Sequence, residues 1–65
     1  MLRGNEFVFI EWYYKKGFGT RYTGFLDELD DEDLYWAIVN NSEYNSDLDC
    51  YEVHFNGFMY RTHVE

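Results

Sequence analysis

The stretch Tyr51-Glu52-Val53-His54-Phe55-Asn56-Gly57-Phe58-Met59-Tyr60-Arg61-Thr62-His63-Val64 reads as a β-hairpin. Asn-Gly accepts the positive φ angles of a type I′ turn, whose twist suits two paired strands. A two-residue loop also fixes the register. Phe55 then faces Phe58, His54 faces Met59, Val53 faces Tyr60, Glu52 faces Arg61, Tyr51 faces Thr62 and Cys50 faces His63. One face carries Tyr51, Val53, Phe55, Phe58, Tyr60 and Thr62; the other carries Cys50, Glu52, His54, Met59, Arg61 and His63. Glu52 opposite Arg61 is a favourable cross-strand charge pair.

Working outward, a second hairpin opens the chain. Glu6 to Tyr14 is rich in aromatic and β-branched residues, as strands are. Val8, Ile10, Trp12 and Tyr14 share one face; Phe7, Phe9, Glu11 and Tyr13 share the other. Apolar residues on both faces place this strand centrally in a sheet, or set one face against a partner. Lys15 to Gly19 reads as the turn, and Thr20 to Leu26 as the return strand, with Gly24 marking a bulge.

Between the hairpins, residues 30–41 read as a helix in preference to a strand. Asp30 or Asp31 can cap it, and Glu32 and Asp33 suit its first turn by the helix dipole. Leu34, Ala37 and Ile38 fall at i, i+3 and i+4, a helical apolar stripe. Asn40-Asn41 offers a stop, and Ser42 to Leu48 reads as a polar loop. The expected fold is α+β, a small antiparallel sheet of two hairpins with one helix between them (ββαββ). The alternative is a five-stranded small β-barrel.

Residues 1–65 make one domain. A chain of about 60 residues buries only about 60% of its unfolded surface, so its core is marginal. Fifteen aromatics, six Phe, seven Tyr and two Trp, offset that limit. They also exceed what one sheet face and one helix can bury. Tyr13, Tyr22, Tyr35, Trp36 and Tyr44 are therefore candidate surface anchors, a use to which interfaces commonly put Tyr and Trp. The same surplus suits a homodimer. Cys50 is the single cysteine, so no disulfide framework exists within the chain, which points to a reducing, cytoplasmic setting. Met1 to Gly4 leads directly into the first strand pattern, so no signal peptide is expected. No apolar run approaches the roughly 20 residues of a membrane helix.

Charge is distributed one-sidedly. From Tyr22 to Tyr60 the chain carries ten carboxylates and no lysine or arginine, within a net charge of −8. The carboxylates are Asp27, Glu28, Asp30, Asp31, Glu32, Asp33, Glu43, Asp47, Asp49 and Glu52; Arg3, Lys15, Lys16, Arg21 and Arg61 flank the stretch. Such a field repels nucleic acid and anionic membranes and attracts basic surfaces. Duplex DNA carries one charge per about 1.7 Å of axis, and a helix rises about 1.5 Å per residue. Acids at a helix start and in its leading loop thus approach the charge density of a phosphate backbone.

Other chemistry is poorly supported by the residues. The acidic run lacks the glycine and spacing of a calcium loop. A chain this short has little depth for the cleft that catalytic carboxylates need. Cys50, His54 and His63 share a strand face, but a closed zinc site takes four ligands, and Glu52 is committed to Arg61. Surrounding carboxylates raise the thiol pKa and disfavour a Cys-His nucleophile. Neither a Gly-rich phosphate loop nor a Walker-type motif is present. No cofactor or metal is expected.

The sequence therefore predicts a non-enzymatic acidic inhibitor, DNA-mimic-like, occupying a basic nucleic-acid-binding surface of a host protein. Phage-encoded blockers of a CRISPR or restriction nuclease, or of RNA polymerase, have this general make-up, and their site of action is the host cytoplasm. The candidate partner-binding residues are Asp27, Glu28, Asp30, Asp31, Glu32 and Asp33 as a main ridge, Glu43, Asp47 and Asp49 beside it, and Tyr35, Trp36 and Tyr44 as apolar anchors. The alternatives are an immunity or antitoxin-type protein masking a basic toxin, and a small structural homo-oligomer.

Overall fold

The computed structural model describes residues 2–65. Its strands are β1 (Phe7–Tyr14), β2 (Gly17–Phe25), β3 (Glu43–Asn45), β4 (Cys50–Phe55) and β5 (Phe58–Val64), with one helix, α1 (Glu32–Asn41), and a 3₁₀ turn at Leu26–Glu28. The strands form one antiparallel sheet in the order β2-β1-β5-β4-β3. The fold is a small α+β arrangement, an open five-stranded sheet with its helix between β2 and β3. Because β2 and β3 are opposite edges, the connection through α1 carries the chain across one face of the sheet.

The β4–β5 hairpin turns at Asn56 (φ 51°) and Gly57 (φ 84°), the pair of positive angles a type I′ turn requires. Its pairing runs from Phe55↔Phe58 to Tyr51↔Thr62, including Glu52↔Arg61. On β1 the register puts Val8, Ile10 and Trp12 beside Val64, Thr62 and Tyr60 of β5, so the apolar faces of the two hairpins merge. α1 begins at the Asp31 N-cap, whose carboxylate accepts the Leu34 backbone N–H at 3.1 Å. Leu34, Ala37 and Ile38 face the sheet and are buried with Val8, Ile10, Leu26, Leu29, Val53 and Tyr60.

Four expectations need correction. The segment Ser42 to Leu48 is not all loop: Glu43–Asn45 pairs with β4 as a fifth strand. Tyr44 sits opposite Tyr51 there, ring centroids 5.2 Å apart, and this contact outweighs the polar character of the segment. The sheet does not close into a barrel; β2 and β3 remain edges. The first turn is Lys15-Lys16 alone, and β2 starts at Gly17. Gly17 and Gly19 lie beneath the Trp12 indole, where an added Cβ at Gly19 would come within 2.8 Å of Trp12 Nε1. Gly19 is a glycine because the indole needs the space, not because the chain turns, whereas a Cβ at Gly17 would make only an ordinary contact 3.5 Å from the ring. Finally, the bulge lies at Arg21, since Ile10 pairs Tyr22 and Glu11 pairs Thr20. Gly24 instead takes φ 152° beneath the Tyr22 ring, whose hydroxyl donates to the Phe25 carbonyl at 2.6 Å.

Candidate functional site

Most of the candidate acids gather at one end of the sheet, while Glu43, opposite Glu52, lies in mid-sheet. By register, the end where β1 starts and β5 finishes also holds the 3₁₀ turn and the β3–β4 turn. Backbone bonds from Asp27 to Gly4 (2.8 Å), Leu26 to Glu6 (2.9 Å) and Glu65 to Phe7 (2.9 Å) tie this end together. Asp27 and Glu28 lie on its β1–β2 side, Asp47 and Asp49 on its β4 side. Lys15 and Lys16 turn at the opposite end, beyond the eight residues of β1, about 27 Å away at 3.3–3.4 Å per residue. The molecule thus carries an electrical polarity along its strands.

The twelve candidate residues divide. Asp27, Asp30, Glu32, Tyr35 and Trp36 line, with Leu29, an open depression of about 450 Å³ at the start of α1. Trp36 is half exposed, and its ring meets Tyr35 edge-on with centroids 5.0 Å apart. Tyr35 in turn rests on Gly4, where any Cβ would collide with its hydroxyl. Glu28 and Asp33 are exposed close by, whereas Asp31 is occupied as the N-cap. Glu43, Asp47, Asp49 and Tyr44 lie beyond α1, on β3 and its turn into β4, so the acids form two groups and not a continuous ridge. Tyr44 is 54% exposed and its hydroxyl donates to Asp49. That bond, with burial second, raises the Tyr44 pKa.

Among the described residues, Asp30 alone of the nine candidate acids forms an ion pair, with Arg21 at 3.2 Å. The bulge that puts Arg21 out of register lets it reach Asp30. Asp27, Glu28, Glu32, Asp33, Glu43 and Asp47 are exposed, and their carboxylates have no hydrogen-bond or ion-pair partner among the described residues. Their field is felt nearby: burial raises the Tyr22 pKa first, and the charges of Glu28, Asp27 and Asp30 add to the rise.

On the sheet face away from α1, the remaining polar side chains bond to one another. Arg61 Nε donates to Glu52 at 2.8 Å, Asn45 donates to the same carboxylate at 3.2 Å, and both hold the Glu52 pKa below its ordinary value. The Arg61 guanidinium lies 4.5 Å from the Tyr13 ring centroid. His63 Nε2 sits 2.8 Å from Glu11. Cys50 is buried, and burial, followed by the Glu52 charge, raises its thiol pKa, so it is a poor nucleophile at neutral pH. No group of three or more His, Cys, Asp or Glu among the described residues is arranged to hold a metal ion.

Sequence reasoning missed Phe7, Phe18 and Phe25, exposed at 42, 69 and 48% on this same face. The available signal was the second apolar face of β1, carrying Phe7, Phe9 and Tyr13. Comparisons with family models, with curated proteins and with solved structures find no match to this chain.

Proposed function

We propose that this chain is a non-enzymatic inhibitor that lays its acidic end on a basic nucleic-acid-binding surface of another protein. One observation carries the reading: Asp27, Asp30 and Glu32 line, together with Tyr35 and Trp36, the same open depression at the start of α1. Carboxylates beside aromatic faces complement a guanidinium or ammonium group, which gains both ion pairing and cation–π attraction. Groove-lining arginines and lysines that normally meet phosphates have that chemistry. The unpaired Glu28, Asp33 and Asp47, with Asp49 bonded only to the Tyr44 hydroxyl, extend the negative field across the same end. Because Lys15 and Lys16 lie at the far end, a positive surface is steered to one orientation. Charges select and steer, while the aromatic contacts slow release.

The test begins with proteins retained from the native host's lysate at low salt and released at high salt, as an exposed ionic interface requires. The purified partner is then assayed for duplex DNA binding with and without this protein. The reading expects DNA to be displaced. It also expects Asp27→Asn, Glu32→Gln and Trp36→Ala together to slow association by about 10-fold or more, within the range of electrostatic steering, and to flatten its salt dependence. Asp31 is left intact because it caps α1. A partner that binds DNA equally well in the complex, or a triple variant that inhibits undiminished, refutes the reading.

A further inference from the structure

We infer that the sheet face away from α1 is a homodimer interface, in which a second copy packs face to face with its strands antiparallel. The residues on that face separate by strand. The β1–β2 half is aromatic: Phe7 meets Phe25 edge-on at 5.2 Å, Tyr13 stacks on Phe18 at 6.0 Å, and Phe9 lies between the two pairs. Glu11 interrupts the aromatics on β1, where it accepts the Tyr13 hydroxyl and lies 2.8 Å from His63 of β5, and the β5–β4 half carries the Glu52–Arg61 ion pair. Each of these four side chains therefore already has a hydrogen-bond partner within the chain. The acids without partners in the 3₁₀ turn and in α1 lie on the connection that covers the opposite face, so two copies meet here without pressing those acids together.

Symmetry decides the arrangement. A two-fold axis lying in the interface and perpendicular to the strands sets β1–β2 of one copy over β1–β2 of the other. Aromatic half then meets aromatic half, and the Phe7–Phe25 corner meets the Tyr13–Phe18 corner. The same operation brings the Lys15-Lys16 turn of each copy over the other's acidic end, so the polarity along the strands becomes complementary. An axis parallel to the strands fails on both counts: it places aromatics over ion pairs and acidic end over acidic end. The area also suffices. The two longer extents of the molecule are 31 and 26 Å. They bound a footprint of about 800 Å², the contribution of each partner to a standard-size interface. Two sheets so packed lie about 10 Å apart, as in aligned sandwiches.

Sedimentation equilibrium of the intact protein, from micromolar to millimolar concentration, tests this. The wild type should move from the monomer mass to twice that mass. Phe18→Asp should hold the monomer mass throughout while leaving circular dichroism unchanged, because Phe18 is 69% exposed and outside the core. Lys15→Glu with Lys16→Glu should weaken the dimer at low salt, with the loss reduced at high salt. A wild type that stays monomeric at every concentration overturns the inference. So does a dimer that Phe18→Asp leaves intact, because that contact would then use another surface such as the β2 or β3 edge.

Discussion

Replacing Gly19 by alanine, with Gly17→Ala as its partner experiment, separates two accounts of the Lys15 to Gly19 segment. If these glycines served a turn, both substitutions should be costly for the same conformational reason. In the structure both belong to β2, and neither has positive φ. At Gly17 an added Cβ would lie 3.5 Å from the Trp12 ring, an ordinary contact. Alanine there should stabilise the fold by about 0.4–1 kcal/mol through the unfolded chain's lost freedom. At Gly19 the Cβ would lie 2.8 Å from Trp12 Nε1 and 3.0 Å from two ring carbons. The indole must move, yet it is packed edge-on against Phe58 at 6.1 Å. Overpacking of this kind costs about 1–3 kcal/mol. Less the same entropic gain, a net loss of up to about 2.6 kcal/mol follows. A domain this small holds about 3–10 kcal/mol in total, and each kcal/mol moves its Tm by about 4–8 °C. Thermal unfolding should therefore show Gly17→Ala raised by a few degrees and Gly19→Ala lowered, by up to about 20 °C. Trp12→Leu should remove most of the Gly19→Ala penalty, giving a large coupling in the double-mutant cycle. Equal losses at both glycines, or no coupling to Trp12, would refute the packing argument.

Other substitutions test other links. Asp31→Ala deletes the α1 N-cap and should cost about 1 kcal/mol in denaturant unfolding, whereas Asp33→Ala, which caps nothing, should cost less. Thr62 is fully buried and its hydroxyl has no partner among the described residues. Thr62→Val keeps the branched shape and should stabilise by about 1 kcal/mol, since an unpaired buried polar group costs about 1–3 kcal/mol. The depressed Glu52 pKa contributes stability that is present above the ordinary carboxylate value and lost as pH falls through the lower folded value. Tm should therefore drop on acidification below about pH 4.5, and Arg61→Met, which removes the first cause of the depression, should shrink that part of the drop.

Most of the backbone plan could be read from local chemistry. Asn56-Gly57 set the β4–β5 register without outside help, and Asp31 with Leu34, Ala37 and Ile38 announced α1. What escaped depended on contacts distant in sequence. Glu43-Tyr44-Asn45 has too little strand character to form alone, and becomes a strand only because β4 presents an edge and Tyr51 a ring. Gly17 and Gly19 resemble a turn until Trp12 is placed above them. The site followed the same rule. Counting residues found the acids and Trp36, but the shared end of the sheet that joins Asp27 with Asp47 follows from strand register. The outward set of Phe7, Phe18 and Phe25 likewise required knowing which face α1 covers.

The claim that the acidic end is a docking surface is tested most directly by carbodiimide cross-linking of the complex with the captured partner, since that reagent joins carboxylates to amines in contact. The account predicts links from Asp27, Glu28, Glu32 or Asp33 to lysines that contact nucleic acid when the partner is free. Links confined to Glu6, Glu11 or Glu65, or to lysines outside the partner's nucleic-acid groove, would contradict it.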